Sequence, residues 1–152
     1  MKRKIDFLTN IYLKYILKRD KEAPFLSFLF FLLTIFTSRL TVMWVEAGRP
    51  LLKFFMVYDY HIHHFYLGIF LLILSNWLSL ARNKNEWMRE IRRVRSILFG
   101  VGLGFITDEF SLLLTMEFDV KGEYWAPHSY YLMALLSGIF ASILLFKRKK
   151  EQ

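Results

Sequence analysis

Arg39, Asp108 and Glu109 stand inside otherwise apolar runs, and the four histidines His61, His63, His64 and His128 open two further runs. Even on the lenient insertion scale such a charge costs ~2.5 to 3.5 kcal/mol near the centre of a membrane helix, so it is a functional expectation by default. Imidazole is the commonest metal ligand and titrates near neutrality unaided. On a helix, His61 and His64 at i and i+3 share a face, while His63 points about 200° away from His61. One face then offers two imidazoles. With a carboxylate from Asp108 or Glu109 they would form a set suited to a divalent metal, zinc or non-haem iron. The expected metal ligands are accordingly His61, His63, His64, Asp108 and Glu109. The expected catalytic residues are Glu109 as general base for a metal-activated water, Asp108 beside it and Arg39 holding an anionic group. Two plainer readings stand beside these. Arg39 and an acidic neighbour could form a buried ion pair that only orients helices, and the histidines could contact lipid headgroups.

These residues need elements to carry them. Of the 152 residues 55% are hydrophobic and 18% aromatic, and the mean hydropathy is +0.32. A soluble domain is ~45 to 50% apolar. Four apolar stretches, near 24–45, 61–81, 96–116 and 129–146, each approach the ~20 residues that cross the hydrocarbon as a helix. Backbone polar groups in lipid must pair within the segment, which excludes sheet in so small a bundle. The fold expected is therefore all-α: a four-span transmembrane helix bundle over 24–147, preceded by a basic amphipathic interfacial helix in 1–23 and followed by a basic tail, 148–152. In the first segment Ile5, Leu8, Tyr12 and Tyr15/Ile16 recur at helical spacing among Lys and Asp.

Orientation follows from the bases. Residues 1–23 hold seven Lys and Arg, Arg82 to Arg95 six and Lys147 to Lys150 four, whereas the two other connections hold only Arg49, Lys53 and Lys121. The positive-inside rule places both termini and the middle connection in the cytoplasm. The formal net charge of +8 is thus explained by topology, and no zinc-finger, RNP-like or helix-turn-helix pattern suggests nucleic acid. The absence of cysteine excludes disulfides, thiolate metal sites and cysteine nucleophiles.

Small residues predict packing. Gly100 and Gly104, and Ala134, Gly138 and Ser142, form rows that let backbones approach. The third and fourth spans are expected to touch through them, or the rows to support a homo-oligomer. Gly100, Gly102 and Gly104 lack the preceding strand of a nucleotide loop. Asp108 continues the Gly100 and Gly104 row at i+4 and should point into the bundle. Counting from the ends of the runs, Arg39 and Glu109 lie about 10 and 12 Å deep, at one level. A faint repeat, 36–39 over 106–109 and 63–67 over 128–132, would pair His63 with His128 and Arg39 with Glu109.

The order His61-Ile62-His63-His64-Phe65-Tyr66-Leu67-Gly68, then Gly102-Leu103-Gly104-Phe105-Ile106-Thr107-Asp108-Glu109-Phe110, then Tyr124-Trp125 resembles a family of uncharacterised prokaryotic integral membrane proteins. The resemblance covers roughly residues 60–130. It implies four spans in a prokaryotic cytoplasmic membrane and no particular chemistry. The function expected is an outward-facing His/Asp/Glu/Arg site for a metal ion or a polar lipid headgroup, whose enzymatic form would be a metal-dependent membrane hydrolase. The alternatives are a small transporter or proton-handling subunit, or a structural or assembly subunit.

Overall fold

A computed structural model describes residues 16, 20–48, 56–57, 60–61, 63–80, 87–116 and 122–146, with only the backbone of 56–57, 60–61 and 87–88. The amphipathic helix expected in 1–23 falls almost entirely outside these residues. The elements are α1 (Glu22–Glu46), α2 (His64–Leu80), α3 (Trp87–Asp108), α4 (Phe110–Thr115) and α5 (Pro127–Leu145), with a 3-10 turn at Glu123–Trp125 before the last. A two-residue antiparallel ladder, β1 (Met56–Val57) against β2 (Tyr60–His61), precedes α2. The architecture is otherwise all-α.

Local chemistry sets the helix ends. Pro24 lies in the first turn of α1, where an amide proton would have no intrahelical acceptor. The chain leaves α1 through Gly48, whose φ of +69° is the left-handed conformation that closes many helices. Ala126 is extended (φ −63°, ψ 151°), as the residue before proline must be, and Pro127 opens α5 at its first position.

Cross-helix contacts give the directions. Glu22 meets Arg93, Ser27 meets the carbonyl of Ser96 and Arg39 meets Asp108, so α1 and α3 run parallel and in register. Ser75 donates to the carbonyl of Arg95 while His64 reaches Asp108, so α2 is antiparallel to α3. Lys21 donates to the carbonyls of Leu144 and Phe146, Phe28 stacks on Phe140 with Phe31 tilted against the same ring, and Arg39 reaches Tyr130, so α5 is antiparallel to α1. The four long helices alternate in direction.

Glycines on α3 permit the closest approaches. A β-carbon on Gly104 would lie 2.7 Å from Thr34 Cβ, and one on Gly100 would strike the carbonyl of Ser27. Gly102 and Gly68 are mutually tight, each β-carbon falling 2.8 Å from the other's carbonyl oxygen. The Gly100/Gly104 row therefore serves α1, not α5 as its periodicity had suggested. Ala134, Gly138 and Ser142 are exposed, with nothing within 4 Å of a β-carbon on Gly138. Periodicity fixes the face that small residues share, and the neighbour that fills it depends on helix order.

The distribution of polarity is inverted relative to a water-soluble bundle. Among the described residues only five hydrophobic side chains are buried (Phe31, Val42, Phe65, Leu112 and Phe140) against twelve polar or charged ones, while twenty-five large hydrophobic side chains are exposed. Two stretches, Glu22–Glu46 and Glu123–Leu145, are long and apolar enough by length and composition to cross a membrane, and α2 is an apolar helix of 17 residues. Only 28% and 11% of the apolar windows in the two long stretches are buried, which is unlike the core helix of a soluble protein. Interhelical hydrogen bonds and small residues, the associations that work in lipid, make the contacts.

The third apolar stretch differs in its bounds from expectation. It is helical from Trp87, nine residues before Ser96, and its ladder breaks at Glu109 (φ −96°, ψ 17°) before α4 resumes. At that break the Asp108 carbonyl accepts a hydrogen bond from Arg39 Nη2 at 3.3 Å. A side chain inserted at the helix ladder is a recognised cause of a kink.

Candidate functional site

The break at Glu109 turns consecutive residues of one helix toward three partners. Asp108, fully buried, faces α1, where Arg39 Nε donates to its Oδ1 at 2.7 Å. Its Oδ2 accepts from the Tyr124 hydroxyl at 2.5 Å and stands 2.9 Å from His64 Nε2. Glu109, also buried, faces α2: Oε1 is 3.0 Å from His63 Nδ1 and Oε2 accepts the Phe65 amide proton at 2.8 Å. That amide belongs to the first turn of α2 and has no intrahelical acceptor, so Glu109 caps α2 from another helix and its charge faces the positive helix end. Ser111 does the same for α5. Its hydroxyl accepts the Ser129 amide proton at 3.0 Å, the Ser129 hydroxyl accepts the Ser111 amide proton at 3.0 Å, and both serines are fully buried. Two helix starts are thus held by side chains of the broken segment.

Arg39 is enclosed. Its guanidinium carbon lies 4.7 Å from the Tyr124 ring centre, 5.0 Å from Trp125 and 4.6 Å from Tyr130, while Nη1 donates to the Tyr130 hydroxyl at 2.9 Å. Cation–π attraction strengthens where water is excluded, and the side chain is 11% exposed. Arg39, expected to hold an anionic group, is instead directed into the protein's own Asp108 and aromatic rings.

His64 occupies the middle. While Nε2 faces Asp108, Nδ1 lies 3.4 Å from Glu109 Oε1. A neutral imidazole has one N–H and a protonated one has two, so only the protonated ring presents a proton to both carboxylates. The side chains of His63 and His64 are 13% and 26% exposed: the carboxylates are sealed and the imidazoles form the accessible rim. No family model matches the chain, and no curated protein or solved structure matches it.

The metal site expected from the sequence is overturned. Among the described residues no group of three or more His, Asp or Glu could hold a metal ion, which removes zinc or iron coordination by His63, His64, Asp108 and Glu109. The reason is geometric. Each imidazole is turned toward a carboxylate as its hydrogen-bond partner, and the carboxylates engage Arg39, Tyr124 and the Phe65 amide, so the donor atoms satisfy one another instead of converging on one point. His61 lies in β2 and not on α2, so the helical i, i+3 relation with His64 does not arise; its side chain is outside the described set. Glu109, expected as the general base for a metal-activated water, has both oxygens engaged.

Of the expected residues the structure brings together Arg39, His63, His64, Asp108 and Glu109, and leaves His128 exposed on the first turn of α5. The pairings implied by a repeat are not the ones made, since Arg39 takes Asp108 and His63 takes Glu109. Arg39 does stand level with the acidic pair, meeting Asp108, and Asp108 is buried on the side that its row requires. Sequence reasoning missed Tyr124 and Tyr130 as partners, together with the two serine and glutamate caps. Tyr124-Trp125 beside Pro127 was the available signal, legible only as an interfacial anchor.

Proposed function

We propose that the chain is a multi-pass membrane protein of four spans with both ends on the cytoplasmic side, and that its outer-side cluster binds and releases a proton through His64. Support for the spans comes from the apolar exterior, the polar interior and the alternating helix directions, with α3 and α4 together making the third span. Support for the orientation comes from the bases, which gather at the end of the bundle marked by Glu22, Arg93 and the carboxyl end of α5.

The observation that carries the proton reading is His64 seated between Asp108 and Glu109. Two carboxylates and the Arg39 guanidinium, in their ordinary ionised forms, leave one negative charge over. A proton on the imidazole neutralises it and adds the second N–H that the second carboxylate can accept. Burial makes this charge balance matter, because a net charge out of water is costly. The groups around His64 that carry or can carry charge are Arg39 on α1, His63 before α2, Asp108 and Glu109 on α3 and its break, and Tyr124 before α5. Access favours the outer side, where the imidazoles are partly exposed. Toward the cytoplasm the route meets Phe31, fully buried about 12 Å from the level of Arg39, with Phe28 and Phe140 packed against it. That seal supports a one-sided, pH-responsive site over a conduit through the bundle.

Nitrogen-15 spectra of histidine-labelled protein in detergent micelles test it. His64 should show two protonated nitrogens with the proton bound and one after its release, and Glu109→Gln or Asp108→Asn should change the signal of the ring nitrogen that faces the substituted side chain. A His64 spectrum indifferent to both substitutions would refute the reading. A second reading, an assembly element, is favoured by one observation of its own: Arg39 is engaged by Asp108 and three aromatic rings, the arrangement of a helix-orienting lock.

A further inference from the structure

The sequence assigns Arg82 to Arg95 to a connection, yet residues from Trp87 onward are helical and continuous with the apolar part of α3. Arginines therefore stand on a rigid helix that projects past the apolar belt, with Arg89 about 10 Å beyond Ser96. Their engagement is uneven. Arg93 is held by Glu22 and Glu90 at 2.7 Å each. Arg89 and Arg92 approach acidic groups only at 3.7 Å (Glu22) and 3.4 Å (Asp20), and their side chains are 54% and 44% exposed. They lie at i and i+3, on one side of the helix.

Apolar surface adjoins them. The Ser75 to Arg95 contact sets the level of α2, so that Leu80, 74% exposed, falls at the depth of the arginine-bearing turns. Further bases follow at Lys147 to Lys150, directly after the Phe146 carbonyl that Lys21 holds. Guanidinium groups at headgroup depth beside exposed leucine match a ligand with a phosphate at one end and acyl chains at the other.

We infer that the cytoplasmic end of α3 is a binding site for anionic phospholipid, with the phosphodiester held by Arg89 and Arg92 and the chains lying along α2 and α3. The inference rests on the membrane reading and is independent of the proton site. Anionic lipid is preferred to zwitterionic because Arg89, Arg92, Arg93 and Arg95 exceed Asp20, Glu22 and Glu90 by one positive charge, and each base at the surface contributes ~1 kcal/mol toward an anionic leaflet, about fivefold in affinity.

The full chain in maltoside micelles, titrated with phosphatidylglycerol, should show a saturable rise in melting temperature. Phosphatidylcholine and inorganic phosphate should give none. The double variant Arg89→Gln/Arg92→Gln should need about 25-fold more phosphatidylglycerol for the same rise. If that variant fails to fold, a salt titration of the wild type replaces it, and the rise should fade as ionic strength increases. An equal rise with phosphatidylcholine, or with inorganic phosphate alone, overturns the site. Flotation with vesicles separates the two failures: a protein that stays in solution without detergent and floats with no vesicle refutes the membrane reading itself, whereas one that floats equally with neutral and anionic vesicles refutes only the site.

Discussion

Two charged clusters tie α1 to α3, one at each end of the same parallel pair, outer and inner in the proposed orientation, and they are built from different chemistry. At the outer end Arg39 meets Asp108 within a cluster of two carboxylates and two imidazoles. At the inner end Glu22 is the buried carboxylate, between Arg93 and Arg89. The inner cations are guanidinium groups, whereas the outer cluster sets one guanidinium and two imidazoles against its carboxylates. Partner supply differs too. Arg93 has Glu90 in addition to Glu22, so the inner cluster is redundant, while Arg39 has Asp108 as its one acidic partner among the contacts described. In the proposed reading one end is suited to permanent attachment and the other to a change of state.

The contrast breaks most sharply at Arg39. Asp108→Leu alone should strand the guanidinium and lower stability by about 3 to 5 kcal/mol, while Arg39→Met/Asp108→Leu should recover much of that loss, because apolar packing often matches a buried ion pair. Glu22→Gln should be milder, since Arg93 retains Glu90. Thermal or denaturant unfolding in micelles measures all three, and a Glu22→Gln loss equal to that of Asp108→Leu would erase the proposed difference between the ends.

Between the clusters the glycine row sets the next effect. Gly104→Leu should cost about 1 to 3 kcal/mol or prevent assembly, because its first carbon already meets Thr34. Gly138→Leu should change stability little, having open space at that position. Equal sensitivity of the two in the same unfolding assay would show that the row is not a helix contact.

Much of this was legible in hydropathy. Four apolar stretches emerge from hydropathy, and charges inside them are conspicuous enough that Arg39, Asp108, Glu109 and the histidine group could be named before any contact was known. Their pairing was not legible. A one-residue step from Asp108 to Glu109 turns the side chain about 100°, and which carboxylate meets arginine depends on helix order and on the ladder break, neither of which leaves a compositional mark. His61 was misread because continuing α2 backward by three residues assumed a helix where the chain forms β2. The charged start of α3 was hidden for the opposite reason: hydropathy detects the apolar part of a helix and is blind to a charged extension of it.

The caps supply a smaller effect that sharpens the outer cluster's role as organiser. Ser111→Ala removes the acceptor for the Ser129 amide and the partner of its hydroxyl, and should cost about 1 to 2 kcal/mol, the range of a lost helix cap. Hydrogen exchange should localise the loss to the first turn of α5, with α2 unaffected because Glu109 caps it separately. Loosening of both helices at once would mean that the broken segment acts as one cooperative unit.

The smallest intrinsic effect belongs to Arg92. It meets Asp20 at 3.4 Å with the two side chains 44% and 72% exposed, and exposed pairs contribute ~0 to 1 kcal/mol because water and salt screen them and two long side chains must be ordered. Arg92→Gln should therefore change stability in lipid-free micelles by less than about 0.5 kcal/mol, and this difference should vanish at high salt, where the screening length falls to about 3 Å. The outer pair, with side-chain exposures of 11% and 0%, should keep its contribution under the same salt. Adding phosphatidylglycerol then separates what Arg92 does for the fold from what it does for the surface: a residue that scarcely matters to the bare bundle should become one whose loss weakens the lipid response severalfold. A double-mutant cycle between Arg92 and Asp20 at low and high salt, repeated with lipid, measures both quantities. A salt-independent coupling of more than about 1 kcal/mol would make the inner end a buried lock like the outer one and remove the distinction between the two.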